Sequence, residues 1–188
     1  MSSIKLKHAS GNAVSIAAPE SNPASDRTLY VPSNANGTIL TNTTPGCILQ
    51  VVQHHKSDTA STSSTSFVDT GISAAITPSS TSSKILVTYD VYISHTQSEV
   101  SFVNLLRGST NIAQPSGSAN YPATTLQYIG ALVMGQHSMA YLDSPSTTSA
   151  TTYKLQYRTD ANTAYLNRYT GNDNYHGVSH LTLMEVAA

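Results

Sequence analysis

The chain has 188 residues, a net charge of −1, and 10% charged against 39% hydrophobic residues. It therefore has no basic surface able to neutralise a row of phosphates, and too much apolar content for a disordered polyelectrolyte, so nucleic acid is not an expected partner. Ser and Thr make up about a quarter of the residues, roughly the share that charged groups usually hold. The length allows one good-sized domain, and the single cysteine, Cys47, cannot form an internal disulfide, which fits folding in a reducing cytoplasm.

The opening MSSIKLKHASGNAVSIAAPE lacks the continuous apolar stretch of a secretory signal, and no window approaches the ~20 apolar residues of a membrane span. No sustained helical stripe is found, the strong helix formers are scarce, and Val, Ile, Thr and Tyr abound, so the fold class expected is all-β. In the first 46 residues, Ile4-Lys5-Leu6, Val14-Ser15-Ile16, Leu29-Tyr30-Val31 and Thr38-Ile39-Leu40 are apolar pieces too short and too separated to close a core alone. This is read as an extended N-terminal segment serving attachment or inter-subunit packing. The stretch Asn42-Thr43-Thr44-Pro45-Gly46 is read as the corner before a head domain over residues 47–188.

The head opens with an apolar run headed by Cys47, and the hydroxyl-rich residues 61–83 surround two short apolar runs. Residues 84–94 are the clearest strand. Alternation places Ile85, Val87, Tyr89, Val91 and Ile93 on one face, and Leu86, Thr88, Asp90, Tyr92 and Ser94 on the other. A strand over 100–106 follows, with Arg107-Gly108-Ser109-Thr110 as a hairpin turn into Asn111-Ile112-Ala113. Residues 126–142 are apolar or small for most of their length, which suits one long strand or two, covered on both sides by a second sheet or a neighbouring subunit; a buried helix is the competing reading. Residues 152–159 and 164–169 are expected to form a hairpin across Asp160-Ala161-Asn162-Thr163, and 178–186 a last strand. Short strands separated by Ser, Thr, Asn, Gly and Pro turns favour an antiparallel, jelly-roll-like β-sandwich.

Residues 26–40, DRTLYVPSNANGTIL, resemble an element that recurs in bacteriophage tail-fibre-like proteins. The chain from Pro45-Gly46-Cys47 through Ile76-Thr77-Pro78, Lys84-Ile85-Leu86-Val87 and Leu105-Leu106-Arg107-Gly108 to the closing Met184-Glu185-Val186-Ala187-Ala188 resembles a domain of marine and cyanobacterial phage virion proteins. Residues 120–139 are the least similar. The resemblance implies a non-enzymatic structural protein of the virion, made in the host cytoplasm and assembled as a homotrimer with a C-terminal sandwich head. Its partners would be other virion proteins and, at the host surface, a glycan or protein receptor. A short fibre, a tip subunit and a capsid decoration all match the length.

Candidate chemistry is sparse. Of the 7 histidines, His176 and His180 have a spacing that suits zinc on a helix, but on a strand residues four apart lie about 13 Å from each other. His54 and His55 would point to opposite faces. No metal or cofactor is expected within one chain; a metal on a three-fold axis is the variant left open. No nucleophile motif or carboxylate pair occurs, with Cys47 read as a small buried thiol and the aspartates as turn residues. Among them Asp90, on the outer face of the best strand, stands apart. The aromatic balance, 11 Tyr against 2 Phe and no Trp, favours interfaces over a plain core. The densest mixture of aromatic and amide groups, Tyr165, Tyr169, Asn172, Asp173, Asn174, Tyr175 and His176, is the candidate receptor-binding patch. It is expected on a loop at one end of the sandwich, with subunit contact as its alternative use.

Overall fold

A computed structural model of the chain describes residues 3–7, 10–11, 13–17, 44–117 and 120–188. They belong to two compact units, Met1–Ile39 and Leu40–Ala188. In the first, β1 (Ser3–Lys7) and β2 (Ala13–Ala17) pair antiparallel, with Ile4 opposite Ile16 and Leu6 opposite Val14. The apolar pieces at 29–31 and 38–40, the motif at 26–40, and Asn42 and Thr43 of the corner lie outside the described residues.

The second unit contains β3 (Ile48–Lys56), β4 (Ala60–Thr62), β5 (Val68–Ile76), β6 (Lys84–His95), β7 (Glu99–Arg107), β8 (Thr110–Ile112), β9 (Thr125–Ile129), β10 (Met134–Asp143), β11 (Thr151–Thr159), β12 (Ala164–Leu166) and β13 (Ser179–Val186), with no helix among the described residues. One sheet runs β3-β13-β6-β12-β4 with β10 on β6; the other runs β5-β11-β7-β8 with β9 on β7. All pairings are antiparallel.

Three of these strand positions are broken. β12 and β13 pair with successive stretches of β6, β3 and β4 with β13 and β12, and β8 and β9 with successive stretches of β7. Counting each broken strand once gives eight positions, ordered 1-8-3-6 in one sheet and 2-7-4-5 in the other. This is the strand order of a jelly roll. The sandwich expected from the spacing of the strands is the fold observed.

Alternation builds the core. Ile85, Val87, Tyr89, Val91 and Ile93 of β6 are buried, as their spacing predicts, and meet Val103, Leu105, Tyr153, Leu155 and Tyr157 from the facing sheet. Gly108 takes φ 59° in the β7–β8 turn, where a left-handed residue closes the hairpin.

One expectation is narrowed and one corrected. Residues 126–142 hold two strands and not one, most of β9 and β10, which lie in different sheets and leave Leu126, Leu132, Val133 and Leu142 exposed within the chain. The helix reading falls, because alternate side chains of β10 turn inward, as at His137 and Asp143. Residues 152–159 and 164–169 do not form a hairpin: β11 sits between β5 and β7, while β12 pairs with β6 and β4 in the opposing sheet, and the strand over 164–169 stops at Leu166. The polar connection 160–163 crosses the sandwich, which places Leu155 and Leu166 on facing walls of one core.

Connections of this order gather at two ends. At one, the β5–β6 and β10–β11 connections meet the point where the chain enters and leaves: Gly46 N donates to Ala187 O at 2.8 Å and Ala187 N to Cys47 O at 2.9 Å. At the other, Thr159 N donates to Ser64 O, Thr96 N to Thr163 O and Ala131 N to Ser98 Oγ, tying the β4–β5, β6–β7, β9–β10 and β11–β12 connections together.

Candidate recognition surface

Six of the seven residues of the expected patch, all but Tyr165, lie on the excursion 167–178, which separates β12 from β13. Since both strands pair with β6 on the same side, the chain leaves mid-strand and folds over the outer face of the sheet. The expectation of a loop at the end of the sandwich is therefore corrected to a flap on its side. Ser94, which faces outward, is buried beneath it and donates to Arg168 O at 2.6 Å.

Asn167 anchors the flap. It has φ 57°, a conformation asparagine tolerates better than most residues, and is fully buried. Its Nδ2 donates to Lys56 O at 2.7 Å and Asp58 O at 3.1 Å, and its Oδ1 accepts from Ser179 Oγ at 2.5 Å. One side chain thus satisfies the carbonyls freed where β3 ends and holds the place where β12 gives way to β13.

Beyond this anchor, the flap is a short reversal. Arg168 bridges His176, Tyr169 N donates to Tyr175 O, and Asn172 makes an Asx turn, its Oδ1 accepting from Asn174 N at 3.0 Å. The reversal sets the Tyr169 and Tyr175 rings 6.1 Å apart and tilted by 46°, a favourable aromatic pairing. Gly171 makes room for it: a Cβ there would lie 2.7 Å from the Tyr169 ring. Tyr175 is 63% exposed, and Asn172, Asp173, Asn174 and His176 are exposed around it. Tyr165 lies apart on β12, half-buried, with the Arg168 guanidinium 4.5 Å from its ring centroid. One of its faces is taken, so the open aromatic surface belongs to Tyr169 and Tyr175.

The histidines divide. His180 sits 3.3 Å from Asp90, which also accepts from Gln136 Nε2 at 2.5 Å, so Asp90 is one member of a polar row across the outer face. His54 Nδ1 accepts from Ser73 N while the next residue, His55, is exposed. Among the described residues no group of three or more His, Cys, Asp or Glu could hold a metal ion. Cys47 is a free, half-buried thiol.

The outer face of the other sheet carries a feature the sequence did not single out. Arg158 is only 6% exposed, with its guanidinium 3.6 Å from the Phe102 centroid, 5.5 Å from that of Phe67 and 5.4 Å from that of Tyr121. Both phenylalanines of the chain flank this one cation. The available signal was a scarce residue type on two segments, which only the sheet order brings together.

No family model and no curated protein matches the sequence. Among solved structures, the chain is similar to one described as "Structure of infectious bursal disease virus Gt strain", at 14% identity and a TM-score of 0.43, over 95% of this chain and 48% of that one. It is also similar to "Structure of infectious bursal disease virus Gx strain", at 11% identity and a TM-score of 0.39, over 75% of this chain and 37% of that one. The chain thus spans about half the length, or less, of these structures.

Proposed function

We propose that the protein is a non-enzymatic structural protein on the surface of a phage virion, acting as a short homotrimeric fibre or receptor-binding tip in host adsorption. The observation that carries this reading is polarity along the sandwich. The chain enters and leaves beside Lys84, and the Tyr169–Tyr175 flap covers Ser94, about 30 Å away along β6 at ~3.3 Å per residue. A head held at one end and presenting an aromatic and amide surface towards the other suits a tip. The sequence resemblance to phage fibre proteins supports the same assignment, with residues 1–46 as the attachment segment.

Trimerisation is part of the proposal. On the outer face of the β6 sheet, Leu142, Leu86, Met184 and Val51 stand in cross-strand register as one apolar row, with Leu142 53% and Val51 57% exposed. That row lies near the end where the chain enters, and three heads packed along it would cover it. The same row favours a second reading, a capsid decoration that uses this face to bind and reinforce the shell.

Adsorption tests the first reading. Purified protein should bind host cells and compete with phage for them, and Tyr169→Ala/Tyr175→Ala should lose that binding while keeping its oligomeric mass in light scattering. Unchanged adsorption by the variant removes the flap from the receptor site, and absence of cell binding by the wild-type protein favours the capsid reading.

A further inference from the structure

The Arg158 cluster is one wall of a recess of about 490 Å³ in the outer face of the β5-β11-β7 sheet. It lies beside the connections at the end remote from where the chain enters, since Thr65, Phe67 and Asp160 belong to them. Its polar lining is mostly amide: Asn104, Asn111, Gln114 and Asn120. This volume lies within the range of small-molecule sites, about 300–1,000 Å³.

Two nearly buried side chains leave donors without protein acceptors. Asn104 is 2% exposed, and its Oδ1 accepts from Gln114 Nε2 at 3.1 Å and Thr124 N at 3.2 Å. That fixes the orientation of the amide, and its Nδ2 has no acceptor among the described residues, although Asn104 lines the recess. Arg158 donates through Nη1 alone, to Thr159 O at 3.4 Å, with Asp160 at 3.6 Å, and its Nε and Nη2 have no acceptor among the described residues. The flanking rings hold the guanidinium in place, so little side-chain entropy is lost when a ligand binds these donors. None of these atoms is among the fully buried ones that lack a partner, so they open on the recess, where a ligand can accept from them in place of water.

The ligand chemistry follows from the balance of groups. Asp160 beside Arg158 offsets the positive charge and would repel an anion. Amides supply donors and acceptors side by side, as vicinal hydroxyls require. Tyr121, 63% exposed at the rim, and Phe67 supply apolar faces. We infer that the recess is a binding site for one residue of a neutral saccharide, its hydroxyls on Asn104, Arg158 and the rim amides and its ring against Tyr121. This site is separate from the Tyr169–Tyr175 flap, and it stands whether the protein sits on a tail or a capsid.

The test uses the full-length protein labelled with ¹⁵N, whose Asn and Gln side-chain amides report directly. Methyl glycosides of glucose, galactose, mannose and N-acetylglucosamine, and methyl glucuronide as the anion, are titrated into the millimolar range. At least one neutral glycoside should give saturable shifts in the side-chain amides of Asn104, Asn111, Gln114 and Asn120. Tyr121→Ala should weaken that binding about threefold to tenfold, the worth of one aromatic contact. If Tyr121→Ala disturbs the loop, Asn111→Ala on exposed β8 removes one rim amide and should weaken binding as well. Shifts with the glucuronide alone, shifts confined to residues 169–176, or no shift with any neutral glycoside would overturn the assignment. Virion location is measured independently, so failure here leaves the proposed function intact.

Discussion

Acid should loosen the sandwich through two histidines that the fold buries between its sheets. His95 is 0% and His137 2% exposed. His137 bonds Ser101 Oγ at 2.6 Å through Nε2 and Thr125 Oγ1 at 3.1 Å through Nδ1, whereas neither ring nitrogen of His95 has a partner among the described residues. Burial lowers both pKa values, that of His137 from 6.5 to about 4 with His95 adding to the effect, while Glu99 partly opposes the shift at His95. Because the folded state binds the proton less readily than the unfolded chain, this stability is complete above the unfolded pKa of 6.5 and is lost as pH falls towards 4. At about pH 4.5, His137 alone should cost about 2.5 kcal/mol, or about 5–10 °C in Tm for a domain of this size. Calorimetry at about pH 7.5 and about pH 4.5 should show that drop, and His137→Gln, neutral throughout and still able to bond Ser101, should show a smaller one. Glu185 does not confuse the comparison. Burial raises its pKa, but donors from Gln50, Ser79 and Ser83 outweigh that and hold it at about 2, so its contribution is lost only as pH falls from 4.5 towards 2. An equal drop in wild type and His137→Gln would refute the reasoning.

Asn167→Ala removes three side-chain hydrogen bonds and puts alanine at φ 57°; a loss of about 3–4 kcal/mol is expected in urea unfolding, with faster amide exchange across 167–178. Glu185→Gln should cost about 2–3 kcal/mol, because Gln50 Nε2 and Ser79 N both donate to the carboxylate at 2.6–2.7 Å and an amide must turn one of its own donors towards one of them. In that variant the loss of stability between pH 4.5 and 2 should shrink, as read by acid titration of the circular dichroism signal.

What was legible in the sequence was whatever depends on alternation. The inward residues of β6, the β7–β8 hairpin at Gly108 and the all-β class follow from period-2 patterning and one left-handed turn. What was not legible depends on which sheet a strand joins. The connection at 160–163 has the composition of a hairpin turn, and only the distant partners of β11 and β12 make it a crossing between sheets. The same non-local pairing moved the Tyr169–Tyr175 patch from the end of the sandwich to its side, although the local mixture of rings and amides was visible in order. The Arg158 recess was hidden for the same reason: Phe67, Phe102, Tyr121 and Arg158 come from four segments, and no spacing along the chain brings them together.

The central claim, that this protein is displayed on a virion as a receptor-binding tip, is tested most directly by immunogold electron microscopy of intact phage particles with antibody against residues 47–188. Label concentrated at the distal end of the tail is the result expected. Label spread over the capsid shell would contradict the tip and favour a decoration, and particles without label would contradict a place on the virion surface.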